Sequence, residues 1–149
     1  MEKTNSLKIF VVDDDKFCLN IYKQHFLNIG YTNVETFSNG TDCLNRLTEN
    51  PDIIFLDHSM KILNGLEVLK KIKRFNPNIN VVFISSQNDI QTAVNSLKYG
   101  AFDYIVKGDD EQRRIDSIIK KIIQVKALLE KKNKGVFKKI FSFSNITQI

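Results

Sequence analysis

The sequence predicts a doubly wound α/β protein, in which parallel strands alternate with helices. Three runs of four apolar residues, IFVV at 9–12, IIFL at 53–56 and VVFI at 81–84, are rich in β-branched and aromatic side chains. Short continuous runs of this kind are typical of strands that are buried on both faces of a parallel sheet. Stretches with helical periodicity separate the runs, and this alternation favours right-handed crossovers between neighbouring parallel strands.

The first two helices follow the first two strands. Apolar residues recur at helical spacing over 15–29, and Gly30 follows as a candidate C-cap. VETF at 34–37 is the second strand candidate, and a shorter helical pattern covers 40–49 before Pro51. The apolar residues that indicate the first helix are Phe17, Ile21, Phe26 and Ile29, and those that indicate the second are Cys43, Leu44 and Leu47.

The third and fourth helices have clearer boundaries. A helical pattern covers 65–75, and Pro77 lies just beyond its end. A second pattern covers 90–99, where Asp89 is placed to cap the first turn and Gly100 to end the helix. The apolar positions are Leu66, Leu69, Ile72 and Phe75 in the third helix, and Ile90, Ala93, Val94 and Leu97 in the fourth.

A fifth strand and a fifth helix complete the predicted (βα)5 arrangement. FDYIV at 102–106 has the composition of a strand, and a helix is predicted over about 111–132. We expect one folded domain over 1–130, close to the usual length of a single domain. Residues 131–149 are expected to form a flexible basic tail.

The charge of the chain is concentrated near its C-terminus. The formal net charge is +5, but residues 1–111 carry 12 Lys and Arg against 15 Asp and Glu, whereas residues 112–149 carry 10 against 2. The basic tail therefore offers a possible contact with nucleic acid or an anionic membrane, and its apolar residues also allow a short amphipathic helix. Apolar residues at 3-4-3-4 spacing cover only about two heptads of the last helix, too few to predict a coiled coil: Ile115, Ile118, Ile122, Val125 and Leu129. Dimer formation is left open.

Composition narrows the class of protein further. With 42% hydrophobic and 26% charged residues, the chain has the composition of a globular domain rather than of a collagen-like or wholly disordered protein. Its apolar runs are far shorter than the roughly 20 residues of a membrane span, and the N-terminal segment lacks signal-peptide features. Cys18 and Cys43 have no metal-binding or C-x-x-C spacing. We therefore expect a cytoplasmic protein with reduced, buried or half-buried thiols.

Polar side chains follow four of the predicted strands. The acidic run 13–15 follows the first strand, Asp57 follows the third, Ser85 the fourth and Lys107 the fifth. In the strand order 2-1-3-4-5 these four strands are neighbours, and ligands of open α/β sheets bind outside the carboxyl ends of the strands. The sequence therefore predicts a polar site at this edge of the sheet.

The residue types at this edge suit phosphoryl transfer. Carboxylates that lie close together repel one another, and a hard cation such as Mg²⁺ relieves the repulsion. A lysine and a hydroxyl can hold the phosphoryl oxygens, and a central carboxylate at Asp57 can accept the group as an aspartyl phosphate. In phosphoryl transfer, the protein mainly positions the reacting groups and stabilises the negative charge of the transferred group.

Four segments of the chain carry a resemblance to a known family. VVDDD at 11–15, FLDHSMKILNGLEVL at 55–69, FISSQND at 83–89 and GAFDYIVK at 100–107 together resemble the receiver domain of bacterial two-component response regulators. The resemblance covers roughly residues 6–130. Within the family the chain resembles the chemotaxis regulators, and this likeness implies a flavodoxin-like fold with the strand order 2-1-3-4-5. The four motifs occur in the right order at the right strand ends.

The resemblance implies a role for each site residue. Asp57 is implied as the phosphoacceptor, and Asp13, Asp14, Asp57 and the backbone carbonyl of Ser59 as the Mg²⁺ ligands. Ser85 is implied as a hydroxyl switch, Tyr104 as an aromatic switch and Lys107 as the phosphate-binding lysine. The resemblance implies a sensor histidine kinase or phosphotransfer protein as donor. It also implies an output protein that binds the fourth helix, fifth strand and fifth helix. Such domains catalyse only their own phosphorylation and dephosphorylation, so no enzyme class is expected.

Two departures keep another interpretation open. The family usually has proline where this chain has Lys61, and again where it has Gly108. These changes are the only support for a receiver-fold binding module that is not phosphorylated. A phosphatase of the haloacid-dehalogenase type would need a second aspartate at position 59, which is serine here. Asp15 is expected to be a simple helix cap and His58 an exposed side chain.

Overall fold

The computed structural model describes residues 6–86 and 88–147, and the side chains up to 135 within those ranges. Five strands alternate with five helices, as the sequence predicts. The strands are β1 (Ile9–Val12), β2 (Val34–Phe37), β3 (Ile53–Leu56), β4 (Asn80–Ser85) and β5 (Asp103–Val106). The helices are α1 (Lys16–Asn28), α2 (Gly40–Leu44), α3 (Gly65–Phe75), α4 (Ile90–Lys98) and α5 (Glu111–Thr147).

The strands form one parallel sheet in the order β2-β1-β3-β4-β5. This confirms the predicted doubly wound fold. Val12 of β1 pairs with Leu56 of β3, and Leu56 pairs with Phe83 of β4. The central strands β1 and β3 are buried along their whole length, because helices cover both faces of the sheet.

The two faces of the sheet have separate cores. On one face, Phe26 of α1 packs against Phe55 of β3 with ring centroids 5.0 Å apart. On the other face, Leu69 and Ile72 of α3 are completely buried in a core that also contains Phe83. Buried aliphatic and aromatic area of this kind supplies most of the driving force for folding. The sheet edge that follows β1 and β3 is thereby held in a fixed position.

The structure confirms the predicted helix caps at Asp15, Asp89 and Gly100. The Asp15 side chain accepts hydrogen bonds from the backbone N–H groups of Phe17 and Cys18 at the start of α1. Asp89 caps α4 in the same way through the N–H of Gln91. Gly100 has a φ of 105°, a conformation that favours glycine after a helix.

Most of the apolar positions that indicated helices α1 and α4 are exposed. In α1 the buried residues are Leu19, Tyr22 and Phe26, whereas Phe17 is 71% exposed. In α4 the apolar positions Ile90, Val94 and Leu97 are exposed, and Ser96 is buried with its hydroxyl donating to the Thr92 carbonyl. Both helices have apolar residues on more than one side, so periodicity alone did not select the face that packs on the sheet.

Two predicted helix lengths are also wrong. The predicted helix at 40–49 ends at Leu44, and a 3₁₀ turn follows at Leu47–Glu49. The Glu49 carboxylate binds Lys8 and Arg46, which holds this turn close to the start of β1. The fifth helix continues to Thr147 instead of ending near 132, because neither proline nor a positive-φ glycine interrupts it.

The described residues fall into two compact units. The first extends to Ile115 and contains the sheet and the first four helices. The second begins at Asp116 and consists of the rest of α5. Nothing in the structure tests the predicted domain boundary at 130, which stays a prediction. No helix within the described ranges combines the length and the apolar character needed to cross a bilayer.

Candidate functional site

The strand order brings the predicted site residues to one edge of the sheet. The strands β1, β3, β4 and β5 are consecutive neighbours and run in the same direction. Asp13 and Asp57 follow two adjacent strands, Ser85 is the last residue of β4, and Lys107 directly follows β5. The site therefore results from topology, since these residues are far apart along the chain.

Three carboxylates form a compact acidic cluster at this edge. Asp13, Asp14 and Asp57 each offer a carboxylate oxygen, and these oxygens all lie within 4.8 Å of one another. Asp13 and Asp57 are buried, whereas Asp14 is exposed. Carboxylate oxygens open to water on one side are the donor set that Mg²⁺ prefers in proteins, so the residues fit this ion.

The Lys107 ammonium lies inside the site, paired with one of these carboxylates. Its Nζ is 2.9 Å from Asp13 Oδ2, and its backbone N–H donates to the Ser85 carbonyl at 2.8 Å. Burial opposes the charged form, but the hydrogen bond and charge of Asp13 raise the pKa of Lys107 above its usual value. The lysine therefore stays protonated and brings a positive charge to the acidic cluster.

The surroundings of Asp57 disfavour its ionised form. Burial raises the pKa of its carboxyl group, and the negative charge of Asp13 raises it further. The charge of Lys107 and the backbone N–H of Ser59, 3.4 Å from Asp57 Oδ1, oppose the shift. A cation bound among the three carboxylates would remove much of this unfavourable electrostatic energy.

The remaining predicted residues occupy three different environments. Ser85 is fully buried at the end of β4, and Ser59 is exposed in the loop after β3. Tyr104 is 6% exposed and packs against Phe83, with ring centroids 5.8 Å apart. The structure places these residues near the site or in the core beside it. Their roles as ligand and switches stay predictions.

Sequence reasoning missed two neighbours of the site. His58 was predicted to be exposed, which is wrong, because its ring is half-buried and lies 5.6 Å from the Phe83 ring. Cys18 Sγ lies 3.9 Å from Lys107 Nζ. The position of Cys18, one helical turn after Asp15, was the available signal for its proximity to the acidic cluster.

The two departures from the family pattern leave the candidate reacting groups in place. Lys61 lines a cavity of about 390 Å³ that also touches Asp14. Among the described glycines, positive φ occurs at Gly30 and Gly100, so Gly108 has no such conformation. A Cβ atom at Gly108 would meet nothing within 4 Å.

Comparison with known proteins identifies the class as signalling domains of two-component systems. The family model of the response regulator receiver domain matches residues 9–122, and the chain belongs to this family. Receiver domains act in phosphorylation-based signalling, typically bind Mg²⁺ at an acidic pocket, and interact with histidine kinases, phosphotransfer proteins and output domains.

Individual relatives agree with this assignment. The transcriptional regulatory protein ZraR of Klebsiella oxytoca is 38% identical over 100 residues, which are 66% of this chain and 22% of that protein. The chain thus spans about a fifth of the length of this relative. A receiver domain protein from Clostridium thermocellum has a TM-score of 0.76 and 31% identity, covering 83% of this chain and 98% of that one.

A third relative was solved as a complex. The chain matched in the CheX–CheY–BeF3–Mg²⁺ complex from Borrelia burgdorferi has a TM-score of 0.73 and 26% identity. The match covers 78% of this chain and 89% of that one.

Proposed function

We propose that this chain is a phosphorylation-dependent switch that accepts a phosphoryl group on Asp57. The observation that carries the proposal is the cluster of Asp13, Asp14 and Asp57 with the Lys107 ammonium at the same sheet edge. The carboxylate of Asp57 attacks the phosphorus of the donor, and the bond between phosphorus and the leaving group breaks. Surrounding positive charge stabilises the oxygens of the transferred group.

The acidic cluster is suited to hold the divalent cation of this reaction. Asp13, Asp14 and Asp57 would supply carboxylate oxygens, and the backbone carbonyl of Ser59 would be a further ligand. When bound, Mg²⁺ would supply positive charge that offsets the repulsion among the carboxylates and neutralises phosphoryl oxygens. The likeness to a protein solved with BeF3 and Mg²⁺ supports this assignment.

Lys107 and Ser85 complete the phosphate site in this proposal. The ammonium of Lys107, now 2.9 Å from Asp13, exchanges part of that contact for a phosphoryl oxygen. The Ser85 hydroxyl donates a second hydrogen bond to the group. Movement of Ser85 towards Asp57 favours one position of the Tyr104 ring, and the result is a population shift between two states.

Output passes through a protein partner in this proposal. The donor is a sensor histidine kinase or a phosphotransfer protein, and the output protein binds the face formed by α4, β5 and α5. Exposed apolar side chains at Ile90, Val94 and Leu97 support α4 as a contact surface, since clustered exposed apolar residues favour partner binding. In this proposal the chain works in the cytoplasm and turns over no separate substrate, so it is a switch and not an enzyme. As an alternative within this proposal, the same face binds a second copy of the chain and forms a dimer.

The decisive experiment is labelling of Asp57 by a small acyl phosphate. We expect the wild-type chain with Mg²⁺ to gain one phosphoryl group by intact-protein mass spectrometry, and Asp57→Asn to gain none while remaining folded. Asp42→Asn is the matched control, because Asp42 is exposed on α2 and lies outside the acidic cluster. Full labelling of Asp57→Asn would refute the assignment. An unlabelled wild-type chain would favour the binding module without phosphorylation.

A further inference from the structure

Three aromatic rings connect the residue after the predicted phosphoacceptor to the predicted aromatic switch. The His58 and Phe83 ring centroids are 5.6 Å apart, those of Phe83 and Tyr104 are 5.8 Å apart, and those of His58 and Tyr104 are 6.5 Å apart. These separations lie in the range in which aromatic rings attract one another. We call His58, Phe83 and Tyr104 the ring cluster.

The sheet register explains why the three rings meet. Phe83 of β4 pairs with Tyr104 of β5, and on its other side with Leu56 of β3. Paired residues of neighbouring parallel strands point to the same face of the sheet. Side chains alternate between the two faces along a strand, so a residue two positions later points to that face again. His58 lies two positions beyond Leu56, so its ring reaches the same face as Phe83 and Tyr104.

The backbone at His58 is held firmly in place. The His58 carbonyl accepts a hydrogen bond from the N–H of Gly65 at 3.0 Å, at the start of α3. A Cβ atom at Gly65 would lie 2.7 Å from both His58 Cα and Phe83 Cε1, so α3 packs directly against the ring cluster. The His58 ring therefore has a fixed base beside Asp57, and Phe83 is completely buried behind it.

We propose that His58 is a positioning residue that holds the Tyr104 ring in its buried position before any phosphoryl group is present. The ring of His58 stabilises the buried state of Tyr104 by direct contact and through Phe83. This inference rests on the proposed function for the meaning of that state, in which Asp57 and Tyr104 are coupled. His58 then sets the fraction of molecules in which Tyr104 is already buried before phosphorylation. This fraction determines how far a phosphoryl group on Asp57 must shift the equilibrium between the exposed and buried states.

The test compares ring variants at position 58 in the full-length chain. NMR of ring-labelled tyrosine reports the environment of Tyr104, whose signal is assigned with Tyr104→Phe. In the unphosphorylated chain we expect His58→Ala to move this signal towards the exposed value and His58→Phe to retain the wild-type shift. Loss of one aromatic contact lowers the ratio of buried to exposed Tyr104 by about 2- to 10-fold.

A second measurement links the ring to the site. If Asp57 and Tyr104 are coupled, the beryllofluoride concentration for half-maximal response rises by a similar factor in His58→Ala, because such linkage is reciprocal. His25→Ala is the matched control, since His25 is the other histidine of the chain, is also half-buried, and packs against Phe26 on α1. His58→Leu fills the space without a ring and separates ring contact from loss of volume.

The outcomes separate the inference from the proposed function. An unchanged Tyr104 signal in folded His58→Ala would overturn the positioning role, whatever Asp57 does. A displaced signal in His58→Ala with an unchanged signal in His58→Leu would show that filled volume holds Tyr104, which overturns the role of the ring contact. A displaced signal in a chain that no acyl phosphate can label would retain the positioning role and refute the phosphorylation switch. A displaced signal with an unchanged beryllofluoride response would show that Tyr104 is positioned by His58 but is not coupled to Asp57, which overturns the proposed link.

Discussion

The two neighbouring carboxylates at the start of α1 have different surroundings and different predicted tasks. Asp14 is exposed within the acidic cluster, whereas Asp15 caps α1 through the N–H groups of Phe17 and Cys18. Mg²⁺ that binds the folded site stabilises the chain by about 1.4 kcal/mol when its concentration is roughly ten times Kd. We expect Asp14→Ala to abolish this gain in thermal or urea unfolding.

Asp15→Ala provides the matched comparison for that experiment. Loss of the cap costs about 1 kcal/mol of stability with or without the ion, and the Mg²⁺ response should persist. A Mg²⁺ response of wild-type size in Asp14→Ala would contradict the assignment of Asp14 as a ligand.

The buried carboxyl group of Asp57 gives stability a predictable pH dependence. Burial, followed by the charge of Asp13, raises the pKa of Asp57 in the folded chain above its unfolded value. The folded state then binds this proton more tightly, so stability falls as the pH rises from the unfolded pKa through the folded pKa of Asp57. Below the ordinary carboxyl pKa of about 3.9 the group is protonated in both states and the cost is absent.

Asp57→Asn removes this cost. In metal-free buffer near neutral pH we expect the variant to melt at a higher temperature than wild type, and the difference should shrink as the pH falls below about 4. Calorimetry with a chelator present measures both conditions. An advantage of equal size at neutral and acidic pH would show that ionisation of Asp57 is not its cause.

The contact between α3 and the site depends on one glycine at the start of that helix. A Cβ atom at Gly65 would lie 2.6 Å from the Asp57 carbonyl oxygen and 2.7 Å from His58 Cα, and neither backbone atom can move freely. We expect Gly65→Ala to lower the free energy of unfolding by about 1–3 kcal/mol through overpacking. It should also weaken labelling of Asp57, because the loop that follows β3 must shift.

Gly108→Ala is the control for this element-scale prediction. Its Cβ would enter open space after β5, so the change in stability should stay within about 0.5 kcal/mol. Urea unfolding of the two variants compares them directly. Equal stability of Gly65→Ala and Gly108→Ala would mean that α3 does not pack against the site as closely as the structure shows.

The molecule as a whole divides its charge between an acidic body and a basic C-terminal segment. All predicted site residues lie at or before Lys107, so a chain truncated after Lys132 should accept a phosphoryl group at Asp57 as the full chain does. Any binding of the full chain to anionic vesicles or nucleic acid should be lost on truncation. It should also fade with salt, as the Debye length falls from about 10 Å at 0.1 M to about 3 Å at 1 M.

Vesicle co-sedimentation and gel shifts at low salt test the segment, and intact-protein mass spectrometry tests the domain boundary. Uncharged vesicles serve as the control surface. The same binding by full-length and truncated chains would exclude a role for residues after Lys132 in contacting anionic surfaces. Loss of phosphorylation on truncation would place the domain boundary beyond residue 132.

The sequence by itself determined the strands and the edge at which the candidate site lies. Runs such as IIFL at 53–56 are apolar at every position because a parallel strand between two helical layers has no solvent face. The residue that follows such a run, as Asp57 does, then lies at the edge of the sheet. Caps such as Asp15 were also predictable, because they depend on side chains and N–H groups within one turn.

Tertiary structure decided what depends on contacts between distant segments. Phe17 and Ile90 occupy apolar helical positions but are exposed, since burial depends on which face meets the sheet. The pairing of Lys107 with Asp13 and the half-burial of His58 against Phe83 bring together side chains from different strand ends. Helical spacing reports which residues share a face, but only the packed sheet shows which face is covered and which side chains meet.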